Sequence, residues 1–230
     1  MLSWILVAAG AVTLVFYVKE KIRAYSVTSL ILKTAVSVFF MLTAMSALSE
    51  NYTVFGITVI AGLLLGLLGD VWLDLKLIYP LYDRVYTYTG FVSFLIGHLF
   101  FIAGMIGRWY ELGCLIYIAV PVALAVIVGI MVGVIGTKLG MKFGEFKTVS
   151  MVYGGVLFAM ASIAGGLALY NGLQETALNM MFVGGVLFAA SDYVLCGTYF
   201  AGKERKTDII LNYITYYSAQ FIIALSLLYA

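Results

Sequence analysis

Residues 53–73 read TVFGITVIAGLLLGLLGDVWL, an unbroken apolar run with one charge, Asp70. As a helix it rises about 30 Å, which matches the hydrocarbon thickness of a bilayer. The run shows no alternation of polar and apolar positions, so it is not a barrel strand, and a helix is the form that satisfies its backbone in lipid. Gly62, Gly66 and Asp70 recur every fourth residue and share one face. The two glycines let a neighbouring helix approach closely, which aims Asp70 at the protein interior.

Seven further runs have the same character: residues 2–18, 26–48, 89–107, 114–135, 148–170, 178–200 and 209–229. The expected fold is therefore all-α, a polytopic membrane protein of about eight transmembrane helices, with residues 1–230 forming a single transmembrane domain. Composition agrees. The 230 residues are 64% hydrophobic and 10% charged, against roughly 25% charged in soluble domains. A soluble fold of this size has too much surface to hide so much apolar area. The first run carries its positive charges after it (Lys19, Lys21, Arg23), opposite to a signal peptide, so it is read as a retained helix.

The basic residues are unevenly placed. Loop one holds Lys19, Lys21 and Arg23; loop three Lys76 and Arg84; loop five Lys138, Lys142 and Lys147; loop seven Lys203, Arg205 and Lys206. The even loops hold only Arg108, and Lys33 lies within a helix. The positive-inside rule then places the odd-numbered loops in the cytoplasm and both termini outside, in the cell membrane if the source is prokaryotic. Basic residues so few and so dispersed give no nucleic-acid footprint. One histidine, two cysteines (Cys114 and Cys196) and no HExxH or CxxC pattern leave a metal site without enough ligands, and no cofactor is expected. No obligate protein partner is evident, and membrane lipids are the expected surroundings.

A partial internal repeat is visible. Asp70 and His98 are 28 residues apart, as are Asp192 and Gln220, and Gly62 and Leu65 before Asp70 match Gly184 and Leu187 before Asp192. The pattern is that of two four-helix halves in parallel repeat. The second copy of Gly-Gly-Val-Leu-Phe-Ala, at 154–159 and 184–189, is better explained by shared helix-packing composition.

Charges inside hydrocarbon cost about 2.5–3.5 kcal/mol each on insertion scales and mark function by default. Lys33, Asp70, His98 and Asp192 sit on four different helices, all in the expected cytoplasmic half. Helix eight adds Asp208, Asn212, Tyr216 and Gln220, spaced by four on one face, and Ser191 stands beside Asp192. Bland roles exist for several: Lys33 as an ion-pair clasp with Asp70 or Asp192, His98 as a packed and hydrogen-bonded residue, and Asp74 as a solvated charge near Lys76 at the membrane boundary. Two interior carboxylates at one level are harder to dismiss.

At these positions the sequence resembles the lysoplasmalogenase family of YhhN-like membrane proteins, over essentially its whole length. The matching pieces are Lys33 in Ile-Leu-Lys-Thr, Leu67-Leu68-Gly69-Asp70, Gly97-His98-Leu99-Phe100, Ala190-Ser191-Asp192, and Tyr216-Tyr217-Ser218-Ala219-Gln220. Their order and spacing carry the resemblance. Thr34 departs from the proline usual after the lysine.

The resemblance implies hydrolysis of the vinyl-ether bond of a lysoplasmalogen, an ether lipid of lysophospholipid type, to a fatty aldehyde and glycerophospho-ethanolamine or -choline. That chemistry suits the residues. Vinyl ethers are opened by acid, which needs a carboxylic acid holding its proton and a second group to activate water, as paired carboxyls do in glycosidases. Asp70 and Asp192 are the expected catalytic pair, either one being the acid, with His98 as relay or water-orienting group. Lys33, Ser191, Asn212, Tyr216, Tyr217 and Gln220 are expected to bind substrate. Two rivals stand beside this: a proton-coupled transporter, which requires polar access to both faces, and a non-catalytic lipid-binding protein, which requires carboxylates too far apart to share a substrate.

Overall fold

Eight long helices account for nearly all of the computed structural model, which describes residues 1–50, 52–202 and 205–230. They are α1 (Leu2–Arg23), α2 (Val27–Glu50), α3 (Val54–Ile78), α4 (Asp83–Trp109), α5 (Leu115–Lys138), α6 (Lys147–Tyr170), α7 (Thr176–Ala201) and α8 (Lys206–Leu225). All eight are long and apolar enough to cross a membrane, so the chain has the build of a multi-pass membrane protein. Lys203 of loop seven lies outside the described residues. Both cysteines are free.

Local chemistry sets the ends. The Thr53 hydroxyl accepts from the Gly56 amide at 3.0 Å and caps α3, covering one of the donors a helix start leaves open. Pro80 opens a short 3-10 turn, Pro80–Tyr82, that leads into α4, a position where its missing N–H is no loss. Gly202 ends α7 with φ 64°, a left-handed cap that favours glycine.

Several helices outrun the apolar runs of the sequence. Helix α1 continues to Arg23, so Lys19, Lys21 and Arg23 ride on its last turns instead of a loop. Helix α3 continues to Ile78 and α4 starts at Asp83. This overturns one expectation. Asp74, read as a solvated boundary charge, is 3% exposed, because lysines from two other helices neutralise it (below).

The helices pack as antiparallel neighbours, α1 with α2, α3 with α4, α5 with α6 and α7 with α8. Helix α4 also packs on α6, as α8 packs on α2, which is the reciprocal arrangement expected of two four-helix halves. Helix α8 further touches α1 and α3, so it is the more central of the two.

Small residues bring backbones together. A Cβ on Gly62 would meet the Gly97 carbonyl oxygen at 2.8 Å, and one on Gly97 would meet that of Gly62 at 2.9 Å, so α3 and α4 touch backbone to backbone. A second contact has a covalent cause. Pro121 lacks the N–H that would bind the Tyr117 carbonyl, and that oxygen faces Gly166 of α6, where a Cβ would lie 2.2 Å away. The two Gly-Gly-Val-Leu-Phe-Ala copies do serve packing. Gly155 lies against Ala125 and Gly129 of α5, and Gly185 against Ala161 of α6.

Backbone cannot yield as a flexible side chain can. Gly97→Val is therefore expected to destabilise by about 1–3 kcal/mol, lowering the unfolding midpoint of the detergent-purified protein. Gly107→Ala, on the same helix with open space around its Cβ, is the control and should leave the midpoint unchanged.

Candidate functional site

The polar centre is built from three helices that bury charge in pairs. Lys33 of α2 lies 3.3 Å from Asp70 and 3.2 Å from Asp74, and Lys21 of α1 lies 2.9 Å from Asp74. All four side chains are nearly inaccessible. Two cations and two anions balance locally, which is the condition under which ions persist away from water. The ring faces of Tyr17, Tyr25 and Tyr213 stand 5.0–5.9 Å from the Lys21 ammonium, and that of Tyr213 is 5.7 Å from Lys33. The clasp reading of Lys33 is thus met by Asp70 and Asp74, while Asp192 is placed elsewhere.

Asp70 is held from every side. One carboxylate oxygen accepts from Ser37 at 2.7 Å and from Tyr216 at 2.8 Å, and the other faces Lys33. Gln220 in turn donates to the Tyr216 hydroxyl at 2.8 Å. The Tyr217 hydroxyl lies 3.3 Å from both Ser37 and the Lys33 carbonyl. The helix-eight stripe therefore acts as a brace, with Tyr216 touching the carboxylate and Gln220 and Tyr217 fixing what touches it.

Asp192 is half-buried and has a plainer environment. It accepts a short hydrogen bond from the Tyr153 hydroxyl of α6. The ring of Tyr153 lies tilted against His98 at 5.8 Å and edge-on to Phe91 at 5.4 Å. His98 is 1% exposed and enclosed by Phe101, Tyr153 and Phe188. Neither of its nitrogens has a hydrogen-bond partner among the described residues. It stands one side chain behind Asp192, much as Gln220 stands one behind Asp70.

Asn212 and Ser191 clasp α8 to α7. The Asn212 amide donates to the Ser191 carbonyl and hydroxyl, each at 2.9 Å, and Ser191 donates back to the Asn212 carbonyl at 3.2 Å.

Both carboxylates open onto one cavity of about 420 Å³, within the range of small-molecule sites. Lys33, Asp70, Ser191, Asp192, Asn212 and Tyr216 line it; His98, Tyr217 and Gln220 stand behind the wall. The rest of the lining is overwhelmingly apolar and comes largely from α5, α6 and α7. Helix α6 packs on both α5 and α7, and the cavity occupies the cleft over α6 between them. Met131 and Ile135 of α5 and Tyr193 of α7 line the cleft while exposed on the outer surface, so it communicates with the space that lipid would fill. Near the loop between α5 and α6 its wall is tied together by the Lys142 amide bonded to the Phe200 carbonyl at 2.7 Å and by the Cys196–Met141 sulfur contact at 3.6 Å. Such a chamber can hold an apolar chain beside two carboxyl groups.

Four contributors were given no part in the site from the sequence, Asp74 among them because it was read as a solvated boundary charge. Ser37 and Asp74 lay four residues beyond Lys33 and Asp70, so the spacing that identified their neighbours identifies them too. Lys21 follows Tyr17 at the same interval. Tyr153 gave no local signal, being one tyrosine among many, and only its contact with Asp192 distinguishes it.

No curated protein and no solved structure gives a significant match to the chain. A family match covers residues 28–227, from α2 through the last turn. The chain belongs to the YhhN family, which includes lysoplasmalogenase.

Proposed function

We propose that the protein hydrolyses the vinyl-ether bond of a lysoplasmalogen within the cleft between α5 and α7. The observation that carries this reading is that two carboxylates from different helices face one mainly apolar, laterally open cavity. Family membership supports the same class of reaction.

The two aspartates have unequal surroundings. Asp70 has a lysine and two hydroxyl donors, the setting of a group that works as an anion. Asp192 has the Tyr153 hydroxyl and is assigned as the proton donor. In this scheme Asp192 delivers a proton to the alkenyl carbon remote from oxygen, and the adjacent carbon becomes an oxocarbenium ion. Asp70 stabilises that charge and takes a proton from the water that adds to it. The resulting hemiacetal collapses as Asp70 returns its proton to the departing glycerol oxygen, giving the alcohol, and the hemiacetal hydroxyl proton passes to Asp192 as the fatty aldehyde forms, so both carboxyl groups regain their starting states. One water is consumed. Lys33, held between Asp70 and Asp74, serves to keep the base ionised. If the odd loops are cytoplasmic, the substrate comes from the cytoplasmic leaflet.

The purified protein should release fatty aldehyde from 1-alkenyl-lysophosphoethanolamine and none from the 1-acyl or 1-alkyl compounds. Equal turnover of the acyl compound, or none of the alkenyl one, would remove the proposal. Tyr153→Phe should slow aldehyde release about 10- to 100-fold, since a hydrogen bond to a charged or reacting group contributes about 1.5–3 kcal/mol, while the unfolding midpoint falls by no more than about 5 °C.

A further inference from the structure

A second cavity, of about 270 Å³, lies where α3, α4 and α7 meet the loop between α5 and α6. It shares a wall with the catalytic cleft: Tyr199 and Phe200 line both. The loop continues that wall, with Leu139 and Met141 on the cleft and Lys142 to Phe146 on the second cavity.

The two spaces differ in chemistry. The second brings together Lys76, Lys142, Asp83, Glu145 and Thr87. Lys76 is only 11% exposed, sits 3.7 Å over the Tyr199 ring, lies 3.6 Å from Asp83 and donates to Thr87 at 3.3 Å. Glu145 and Lys142 stand at the rim, with Arg84 2.8 Å from Glu145. The loop that carries them is pinned on two sides, by the Lys142 amide to Phe200 and by the Tyr88 hydroxyl to the Glu145 carbonyl at 3.0 Å. A fixed pocket with both signs of charge and an aromatic wall, abutting an apolar slot, is the negative of an amphiphile whose head carries both charges. Lys33 does not line this cavity, and both of its carboxylate partners are buried with it, whereas Asp83 and Glu145 have exposed side chains.

We infer that this second cavity is the headgroup subsite for a zwitterionic lysophospholipid whose chain lies in the catalytic cleft, with Lys142 and Lys76 meeting the phosphate and Asp83 and Glu145 the ammonium. The inference rests on the lipid-hydrolysis reading of the cleft and assigns its specificity. Balanced charge selects zwitterionic heads over anionic ones.

The test uses the full-length protein and a lipid it cannot cleave, 1-O-hexadecyl-lysophosphoethanolamine, so that binding is read apart from hydrolysis. Lys142 and Glu145 are exposed, and their side chains can change without loss of the fold. Lys142→Glu should weaken binding of this lipid about tenfold and leave 1-O-hexadecylglycerol, which has no headgroup, unaffected. Glu145→Gln should shift preference toward 1-O-hexadecyl-lysophosphatidate. Unchanged affinity for the phosphoethanolamine lipid in both variants would overturn the assignment. So would a Lys142→Glu protein that loses binding of inorganic phosphate yet keeps the lipid, since the cavity would then hold a free anion. A wild-type protein that binds the lipid with this pattern but releases no aldehyde from the alkenyl form would refute the hydrolase and leave the headgroup subsite standing.

Discussion

Asp192→Asn is expected to lower aldehyde release by about 10³-fold while leaving the protein folded. Proton delivery by a positioned side chain contributes about 10²–10⁴-fold, and carbon protonation is the step on which vinyl-ether opening depends. An amide cannot supply that proton. It can still accept from Tyr153, so the contact between α6 and α7 survives. Asp192 is also the less enclosed of the two aspartates, and it takes no part in the Lys21–Asp74–Lys33–Asp70 cluster. The unfolding midpoint should therefore stay within about 3 °C of wild type, a change of about 1 kcal/mol. Near-wild-type turnover in this variant would remove Asp192 from the reaction.

Lys33→Met should behave differently, losing both stability and activity. Breaking a buried ion pair leaves its partner uncompensated and costs about 3–5 kcal/mol, here shared between Asp70 and Asp74. For a chain of this length that lowers the midpoint by about 10 °C. The double variant Lys33→Met, Asp70→Asn removes one charge of each sign and leaves the Lys21–Asp74 pair, 2.9 Å apart, in place. It should recover most of the lost stability and none of the activity. Recovery of activity would show that Asp70 serves the fold alone. Failure to recover stability would show that Lys33 acts through packing and not through charge. Thermal unfolding and aldehyde release measured on wild type, Lys33→Met and the double variant decide between them.

The helices were legible because lipid imposes one rule along the whole chain, and each apolar run could be read without its neighbours. Their ends were less so. Asp74 and Lys76 look like a boundary in sequence, yet α3 runs through them to Ile78. What neutralises Asp74 comes from α1 and α2, and no local pattern contains that information. The same limit applies to the site. Lys33, Asp70 and Asp192 announce themselves as charges in an apolar context, and the spacing of Asn212, Tyr216 and Gln220 marks a face. Which residue touches which depends on how helices cross. Tyr216 reaches Asp70, whereas Asn212, on the same stripe, binds Ser191 instead. The extension of α4 back to Asp83 puts His98 about 15 residues into its helix, deeper than the apolar run implied, and behind a tyrosine ring.

The charge cluster also separates structural from chemical roles in a way composition does not. Two lysines and two aspartates make a balanced set, but only Lys33 and Asp70 of the four line the cavity. Asp74, itself paired with Lys21, stands outside the cavity lining and holds Lys33 in place.

The central claim is that a carboxyl group in the cleft protonates the alkenyl carbon. Aldehyde released by the purified protein in D₂O tests it directly. The account predicts one deuterium in a single configuration on the carbon next to the carbonyl in each product molecule, absent when the aldehyde itself is incubated under the same conditions. Aldehyde labelled there without stereochemical preference would contradict it, since bulk solvent and not a fixed carboxyl group would then have supplied the deuterium.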